Sequence, residues 1–397
     1  MSVLFFSGWL DLSSVLIFLF VFLILVDLIK NKAPKNFPPG PPWSLPFVGD
    51  LFRIDLDRIH LQMFAKQYGK IFSVRVGQRI VILNGLQLLK EALVEHGENF
   101  AGRPTVPLFE DIMLNKGLAA SNGYQWKQQR RFALSTLRNF GLGKKSLESQ
   151  IQVECRFLND VIDKSQGQPF EHISVVNNAV ANIISCLVFG DRFDYSNSYF
   201  QRLLKLMNEA VYLEGSIWAQ LYNMFPWLMR RLPGPHKKIL SHWAIVIDFV
   251  KLKIKEHKED WDPSTPRDYI DSFLSEMEKI IHNYNPHEDN LCFCTLDLFL
   301  AGTETTSTAL NWALLYMIKY PEIQEKVQAE IDKVLGPSHP ATMADRANMP
   351  YTDAVIHEIQ RMGNIIPLNV PRMAVKDTTI GGYTIPKVRL FMLRYLS

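Results

Sequence analysis

The sequence predicts a mainly α-helical fold with small β-sheets and an N-terminal transmembrane helix. A thirty-residue stretch at 291–320 is apolar on most faces and contains no proline. Helical patterns follow one another from Leu147 to about Ile280, whereas strand patterns are confined to Ile71–Leu83 and to the region after Pro371. The 397 residues are 47% hydrophobic with a net charge of +3, which argues against disorder and gives no case for a nucleic-acid partner.

The chain begins with an apolar segment suited to a membrane anchor. No charge occurs from Leu12 to Val26, and tolerating Asp27 extends the run to Ile29, about 18 residues, enough to span a thin hydrocarbon core. Lysines follow the run, no basic residue precedes it, and no small-residue cleavage site closes it. We therefore expect residues 1–30 to be an uncleaved anchor with the body of the protein in the cytosol.

The segment after the anchor is predicted to be a stiff hinge at residues 31–45. Pro38–Pro42 holds four prolines around one glycine, a pattern that excludes a helix or sheet interior and favours extended chain. Beyond the hinge, two apolar runs around Gly77 predict a β-hairpin. Residues 99–125 contain the glycines and prolines typical of a loop.

Two shorter helices carry charged residues at helical spacing. A helix over Tyr124–Arg138 places Trp126 and Arg130 on one face, either as a functional pair or as a tryptophan packed on an arginine stem at the surface. In a later helix, Glu358 and Arg361 are three apart and close enough for an ion pair. Such a pair is worth under about 1 kcal/mol where it is exposed.

The centre of the long helix reads Ala-Gly-Thr-Glu-Thr-Thr at 301–306, which is unusual inside an apolar segment. Small residues allow close approach to the backbone, and a threonine hydroxyl bonded to the carbonyl four residues earlier bends a helix. Glu304 beside Thr305 supplies an acid and an alcohol, the groups of a proton relay. The alternative is a glycine kink in which the threonines satisfy only their own helix.

Other catalytic motifs are excluded by their spacing. His357 and Glu358 begin like a zinc-protease helix, but the fifth position is Arg361 rather than histidine, so the second metal ligand is missing. The glycines and lysines of Gly141–Lys145 have the wrong spacing for a phosphate-binding loop.

These features together resemble one family. The anchor, the proline-rich hinge, Trp126–Arg130, 301–306 and Glu358–Arg361 occur in the order found in microsomal cytochrome P-450 haem-thiolate monooxygenases. The resemblance covers residues 1 to about 387. The segments AGTETTSTALNWALLYM and FAGRP are most similar in sequence to family 2, subfamily J. It implies a cytochrome P-450 fold for residues 46–387.

The resemblance also implies an activity, a cofactor and partners. The expected function is haem-dependent monooxygenation of lipophilic substrates, by fatty-acid epoxidation or hydroxylation or by xenobiotic oxidation. Dioxygen is the second substrate, and an NADPH-cytochrome reductase at the endoplasmic reticulum membrane supplies the electrons. Five basic residues are candidates for part of the reductase-binding surface: Arg130, Arg131, Arg138, Lys144 and Lys145. The alternative is that they form an ordinary solvated basic patch.

The site residues implied by the resemblance fall into four groups. Glu304 and Thr305 match the acid and alcohol that deliver protons during oxygen activation. The cofactor-binding positions, four of them at the haem propionates, are Arg103, Trp126, Arg130, Ala301 and Arg372. Glu358 and Arg361 match a structural ion pair behind the haem. The substrate pocket is matched by Leu300, Ile365, Ile366 and Val370.

The sequence departs from the family at the axial ligand. The family places a cysteine well downstream of the Glu358–Arg361 pair, but the last cysteine here is Cys294, so we expect no protein ligand for the metal. Residues 388–397 do not resemble the family, as in a C-terminally truncated isoform. We expect strands near this tail to lose their pairing, the long helix to expose apolar surface, and haem to bind poorly. The alternative function is therefore a non-catalytic, membrane-anchored protein.

Overall fold

The computed structural model describes residues 12–54, 61–140, 145–279, 288–336 and 339–394. The chain divides into two compact units. The first comprises Met1–Pro104 and Leu368–Leu396, and the second comprises Thr105–Pro367.

The first unit contains all six strands found in the described residues, together with three α-helices. Its helices are α1 (Leu12–Lys30), α2 (Leu61–Tyr68) and α3 (Leu86–Lys90). A π-helical turn at Glu91–Glu95 and short 3-10 turns at Leu51–Arg53 and Gly97–Phe100 accompany them. Its strands are β1 (Ile71–Val76), β2 (Gln78–Asn84), β3 (Arg372–Met373), β4 (Thr378–Ile380), β5 (Tyr383–Ile385) and β6 (Leu390–Arg394).

The main sheet has the strand order β1-β2-β6-β3. β1 and β2 form the predicted antiparallel hairpin, with Ile71 opposite Leu83. β6 lies parallel to β2 and antiparallel to β3, with Leu390 opposite Ile80 of β2. The prediction that strands near the tail lose their pairing is therefore wrong, because β6 supplies hydrogen bonds to both neighbours. β4 and β5 form a separate antiparallel pair.

The anchor helix is tied to β1 by an ion pair. Of the helices in the described ranges, α1 is the one long and apolar enough to cross a membrane. Near its C-terminal end, the Asp27 carboxylate lies 2.8 Å from Nη2 of Arg75, whose side chain is 3% exposed. The same Arg75 nitrogen donates to the Leu45 carbonyl at 2.8 Å, and the Phe47 N–H donates to Asp27 at 3.2 Å.

The proline-rich segment is fixed against the same strand. The backbone N–H of Ser73 donates to the Pro39 carbonyl at 2.7 Å, and the Ser73 hydroxyl donates to the Pro38 carbonyl at 3.0 Å. A Cβ at Gly40 would collide with the Ser73 carbonyl oxygen, so only glycine allows this approach.

The second unit is helical. Its helices are α4 (Pro107–Met113), α5 (Gly123–Asn139), α6 (Lys145–Lys164), α7 (His172–Val188), α8 (Ser198–Glu214), α9 (Ile217–Met224), α10 (Pro226–Met229), α11 (Pro235–Asp260), α12 (Tyr269–Lys279), α13 (Glu288–Lys319), α14 (Pro321–Leu335) and α15 (Pro350–Gly363). A short 3-10 turn at Asp345–Asn348 precedes α15. The mainly α-helical fold with small sheets is thus confirmed.

The predicted loop at 99–125 is wrong in its middle, where α4 forms. Pro107 occupies the first turn, where its missing N–H is unneeded and its fixed φ favours a helix. Leu108, Ile112 and Met113 of α4 are buried in the core of the second unit. Burial of these side chains stabilises a helix that glycine and proline content alone does not indicate.

The two ends of α13 differ in their surroundings. Residues from Asn290 to Asp297 are buried in the core of the second unit. Towards the other end, several large apolar side chains are exposed: Leu310, Trp312, Leu314, Leu315 and Ile318. The prediction that the long helix exposes apolar surface is therefore confirmed. α13 ends at Lys319, two residues before Pro321 and close to the predicted end at Tyr320.

We expect loss of the Asp27–Arg75 ion pair to loosen the anchor from β1. Removing one partner of a buried pair leaves the other charge uncompensated, at a cost of about 3–5 kcal/mol. Replacement Arg75→Met should therefore increase tryptic cleavage after Lys30, Lys32 and Lys35 in membranes by tenfold or more, as roughly expected from 1.4 kcal/mol per factor of ten.

The matched control is Lys66→Met, which removes one positive charge from an exposed position on α2. Equal cleavage rates for both variants would show that the ion pair does not hold the anchor.

Candidate active site

The central turns of α13 lie against α7. A Cβ placed on Gly302 would come within 2.7 Å of Cδ1 of Ile184, so the glycine permits close contact between the two helices. One residue earlier, Ala301 is exposed. The Thr305 hydroxyl donates to the Ala301 carbonyl at 2.6 Å, as expected for a threonine that bonds back along its own helix.

Glu304 is partly buried, and its carboxyl group has an unusual environment. Burial raises the pKa of Glu304 to about 7, and no charged group in the described part of the chain contributes to the shift. A carboxyl group with this pKa exchanges its proton near neutral pH, which is the property required of a general acid. Glu304 and Thr305 are adjacent on α13, and their role as the acid and alcohol of a proton relay stays a prediction.

Trp126 and Arg130 lie together on α5, as their spacing predicted. The guanidinium carbon of Arg130 is 5.5 Å from the centre of the Trp126 ring. The indole N–H of Trp126 donates to the Leu118 carbonyl at 3.1 Å, which fixes the ring against the loop before α5. Arg130 itself is exposed.

Arg103 and Arg372 are brought together in the first unit. The backbone N–H of Met373 donates to the Gly102 carbonyl at 2.7 Å, which places the two arginine segments side by side. Arg103 donates to the Pro371 carbonyl at 3.1 Å, and Arg372 donates to the Phe100 carbonyl at 3.4 Å. Two guanidinium groups on neighbouring segments are suited to binding carboxylates.

Glu358 and Arg361 form the predicted ion pair on α15. Nε and Nη2 of Arg361 lie 2.7 Å and 2.6 Å from the two carboxylate oxygens of Glu358. The side chains are 58% and 38% exposed for Glu358 and Arg361. Arg361 lowers the pKa of Glu358 by hydrogen bonding, so the glutamate is ionised and unsuited to proton transfer near neutral pH.

The predicted substrate-pocket residues are distributed over both units. Leu300 packs partly buried against the core of the second unit. Ile365 is half-buried and Ile366 is exposed in the same unit, whereas Val370 is exposed in the first. Their role in substrate binding stays a prediction.

One site residue that the sequence analysis did not identify is Asp297 on α13. Its side chain is 7% exposed, and Oδ2 accepts the N–H groups of Leu118 and Ala119 at 2.6 Å and 2.9 Å. Because Leu118 in turn accepts the Trp126 indole N–H, Asp297 holds the loop that holds the tryptophan. An aspartate in the apolar half of a buried helix is a signal that could have identified it.

Comparison with known proteins decides the family. The sequence model of the cytochrome P-450 family matches residues 38–393. The chain belongs to the cytochrome P-450 family. Cytochrome P-450 2J2 of Homo sapiens is 54% identical over 373 residues, which cover 92% of this chain and 74% of that protein.

Two further relatives are similar over the same range. Cytochrome P-450 2J1 of Oryctolagus cuniculus is 52% identical over 371 residues, covering 92% of this chain and 74% of that protein. Cytochrome P-450 2J5 of Mus musculus is 50% identical over 383 residues, covering 95% and 76%. These identities support family 2, subfamily J, whose cofactor is haem and whose reaction class is monooxygenation.

The cytochrome P-450 match extends beyond the predicted end of the resemblance. It continues to residue 393, past Lys387 and through most of β6. β6 occupies a regular place in the main sheet, between β2 and β3. The segment after Lys387 therefore takes part in the fold of the first unit.

The four cysteines of the chain do not fit the haem cofactor of this family. When bound, the haem iron of this family activates dioxygen, and it requires an ionised cysteine as ligand. Cys292 and Cys294 are buried in the core on α13, and burial raises the pKa of Cys292 to about 12 and that of Cys294 further. Burial also raises the pKa of Cys155 on α6 and Cys186 on α7. None of the four is held as a thiolate.

We expect Asp297→Ala to destabilise the second unit by about 2–4 kcal/mol, because two buried N–H groups lose their acceptor. Asp297→Asn should retain the acceptor oxygen and remove the charge. Burial raises the pKa of Asp297 from 3.8 to about 6, so the folded state binds the proton more tightly than the unfolded state. The contribution of Asp297 to the stability of the parent protein should therefore decrease as pH rises from about 4 to about 6.

The free energy of unfolding in urea, measured at pH 4.5 and 7.5, checks this expectation. Asp297→Asn should remove up to about 3 kcal/mol of the pH dependence. Asp332→Asn, at an exposed position on α14, is the control and should leave the dependence unchanged. An identical dependence in Asp297→Asn and the parent protein would contradict the assignment.

Proposed function

We propose that this cytochrome P-450 is a membrane-anchored monooxygenase of lipophilic substrates, acting by fatty-acid epoxidation or hydroxylation or by xenobiotic oxidation. The observation that carries the proposal is the pairing of Glu304 with Thr305 at the centre of α13, beside the exposed Ala301. Glu304 would hold an exchangeable proton, and the Thr305 hydroxyl would pass it on. The Ala301 carbonyl orients that hydroxyl by accepting its hydrogen bond.

Two further groups of residues are proposed to position the cofactor and the substrate. The resemblance to the family supports contacts with the haem propionates from Arg103, Arg372, Trp126 and Arg130. These side chains offer N–H donors suited to carboxylates. Apolar surface suited to a lipophilic substrate is offered by the residues that match the substrate pocket of the family: Leu300, Ile365, Ile366 and Val370.

The proposed location is the endoplasmic reticulum membrane, with α1 as anchor and the body on the cytosolic side. Lysines follow α1, consistent with the preference for positive charge in the cytosol. An NADPH-cytochrome reductase is the proposed electron donor. Arg130, Arg131 and Arg138 are exposed on α5 and could bind its acidic surface, whereas Lys144 lies outside the described residues.

A second candidate function is favoured by the cysteines. Because none of the four cysteines is held as a thiolate, the 397 residues taken by themselves would form a membrane-anchored protein without oxygenase activity. Such a protein could still compete for the reductase through the same basic surface.

The reduced, carbon monoxide-bound difference spectrum distinguishes the two functions. The second candidate predicts no thiolate-type Soret band when the chain is expressed in membranes with haem supplied, because none of the four cysteines is held as a thiolate. A thiolate-type band, abolished by alanine at one of the four cysteines, would instead show catalytic competence and overturn the second candidate. NADPH-dependent oxidation of a polyunsaturated fatty acid would accompany that band if the first proposal is right.

The proton relay has its own test in any preparation that shows the thiolate band. Glu304→Gln and Thr305→Ala should each lower the oxidation rate by about 10²-fold, because each removes a positioned proton-transfer group. Thr306→Ala is the matched control, since Thr306 is exposed and lies next to the pair. Equal rates in all three variants would exclude the relay, whereas substrate-binding spectra should change in none of them.

A further inference from the structure

A polar chain of three side chains crosses three helices at the candidate site. Asn208 of α8 lies between Glu304 of α13 and Asn177 of α7. In the orientation that satisfies both neighbours, Asn208 Nδ2 donates to the Glu304 carboxylate, at 2.8 Å from Oε2. Asn208 Oδ1 then accepts from Nδ2 of Asn177 at 3.0 Å. Asn177 is 8% exposed, so this end of the chain is closed to solvent.

No ionic partner competes with the amide for Glu304. In the described ranges, no charged residue on α7, α8 or the other helices packed against α13 shifts the pKa of Glu304. The ionisable residues nearest to Asn208 on α8 are Lys205 and Glu209, and both are exposed. Glu209 lies 3.9 Å from His242 of α11.

A carboxamide can respond to the charge of a carboxyl group in either state. Its NH₂ group donates to a carboxylate, and its oxygen accepts from a protonated carboxylic acid. Donation to the ionised form lowers the pKa of an acid, and acceptance from the neutral form raises it. Rotation of the Asn208 amide by half a turn would exchange one arrangement for the other, with Asn177 turning in step.

We propose that Asn208 is a positioning residue that holds the Glu304 carboxyl group and sets its protonation equilibrium, with Asn177 fixing the orientation of the Asn208 amide. The inference rests on the proposed function, in which Glu304 is the acid of the relay. It adds a residue of α8 to a relay that otherwise consists of two residues of α13. Burial raises the pKa of Glu304, and donation from the neutral amide lowers it.

The test is a pH titration of the Glu304 carboxyl group by infrared difference spectroscopy on the full chain in detergent. Glu304→Gln identifies the band. Asn208→Leu, similar in size and without hydrogen-bonding groups, should raise the pKa of Glu304 by about one unit, a tenfold change in the ratio of protonated to ionised carboxyl. Asn208→Asp, closest in shape to the parent residue, should raise it further because it brings a second negative charge.

The matched control is Asn178→Leu. Asn178 accepts a hydrogen bond from Gln201 at 2.7 Å, so this variant removes an amide contact between the same two helices, α7 and α8, away from Glu304. A general loosening of the helix pair would alter stability in both leucine variants and would leave the titration of Glu304 unchanged. An unshifted Glu304 titration in Asn208→Leu and Asn208→Asp would overturn the proposal.

The outcomes separate this inference from the proposed function. A shifted titration together with an unaltered oxidation rate in Glu304→Gln would remove Glu304 from the relay and leave its coupling to Asn208 intact. An unshifted titration together with slow oxidation by Glu304→Gln would support the relay and exclude the positioning role of Asn208.

Discussion

The close packing of α7 against α13 is the constraint on which the candidate site depends. Gly302 lacks the side-chain carbon that would collide with Ile184, and this absence lets the two helices approach. The approach brings Asn177 of α7 within reach of a chain of amides that ends at Glu304. Because well-packed interiors resist small displacements, a side chain at position 302 would move the acid away from its neighbours.

The same helix has two chemically different halves. Its first half lies in a core that contains Phe299, whose ring centre is 5.2 Å from that of Phe189. Asp297 is a buried carboxylate in this half of α13, where it satisfies two backbone donors of the loop before α5. The acid and alcohol lie at the boundary between the buried half and the exposed half, where a carboxyl group is dry enough to keep its proton and close enough to water to exchange it.

The sequence was sufficient for features that depend on local chemistry. Pro321 marked the end of α13, and the apolar runs around Gly77 marked the hairpin. It was insufficient where distant residues decide. α4 depends on burial of Leu108 in the core, and β6 depends on pairing with a strand about three hundred residues earlier in the chain.

The candidate site shows the same division. Glu304, Thr305 and the Trp126–Arg130 pair could be predicted because spacing along one helix places them together. Asn208 could not be assigned a role, since its partners lie on other helices. The apolar surroundings of Asp297 in the sequence could have identified it, but not its partners, which lie in a loop. The attachment of α1 to β1 likewise required the position of Arg75. If α1 lies in a bilayer, where a helix adjusts its tilt to the bilayer thickness, the Asp27–Arg75 pair is a point at which a change of tilt would act on β1.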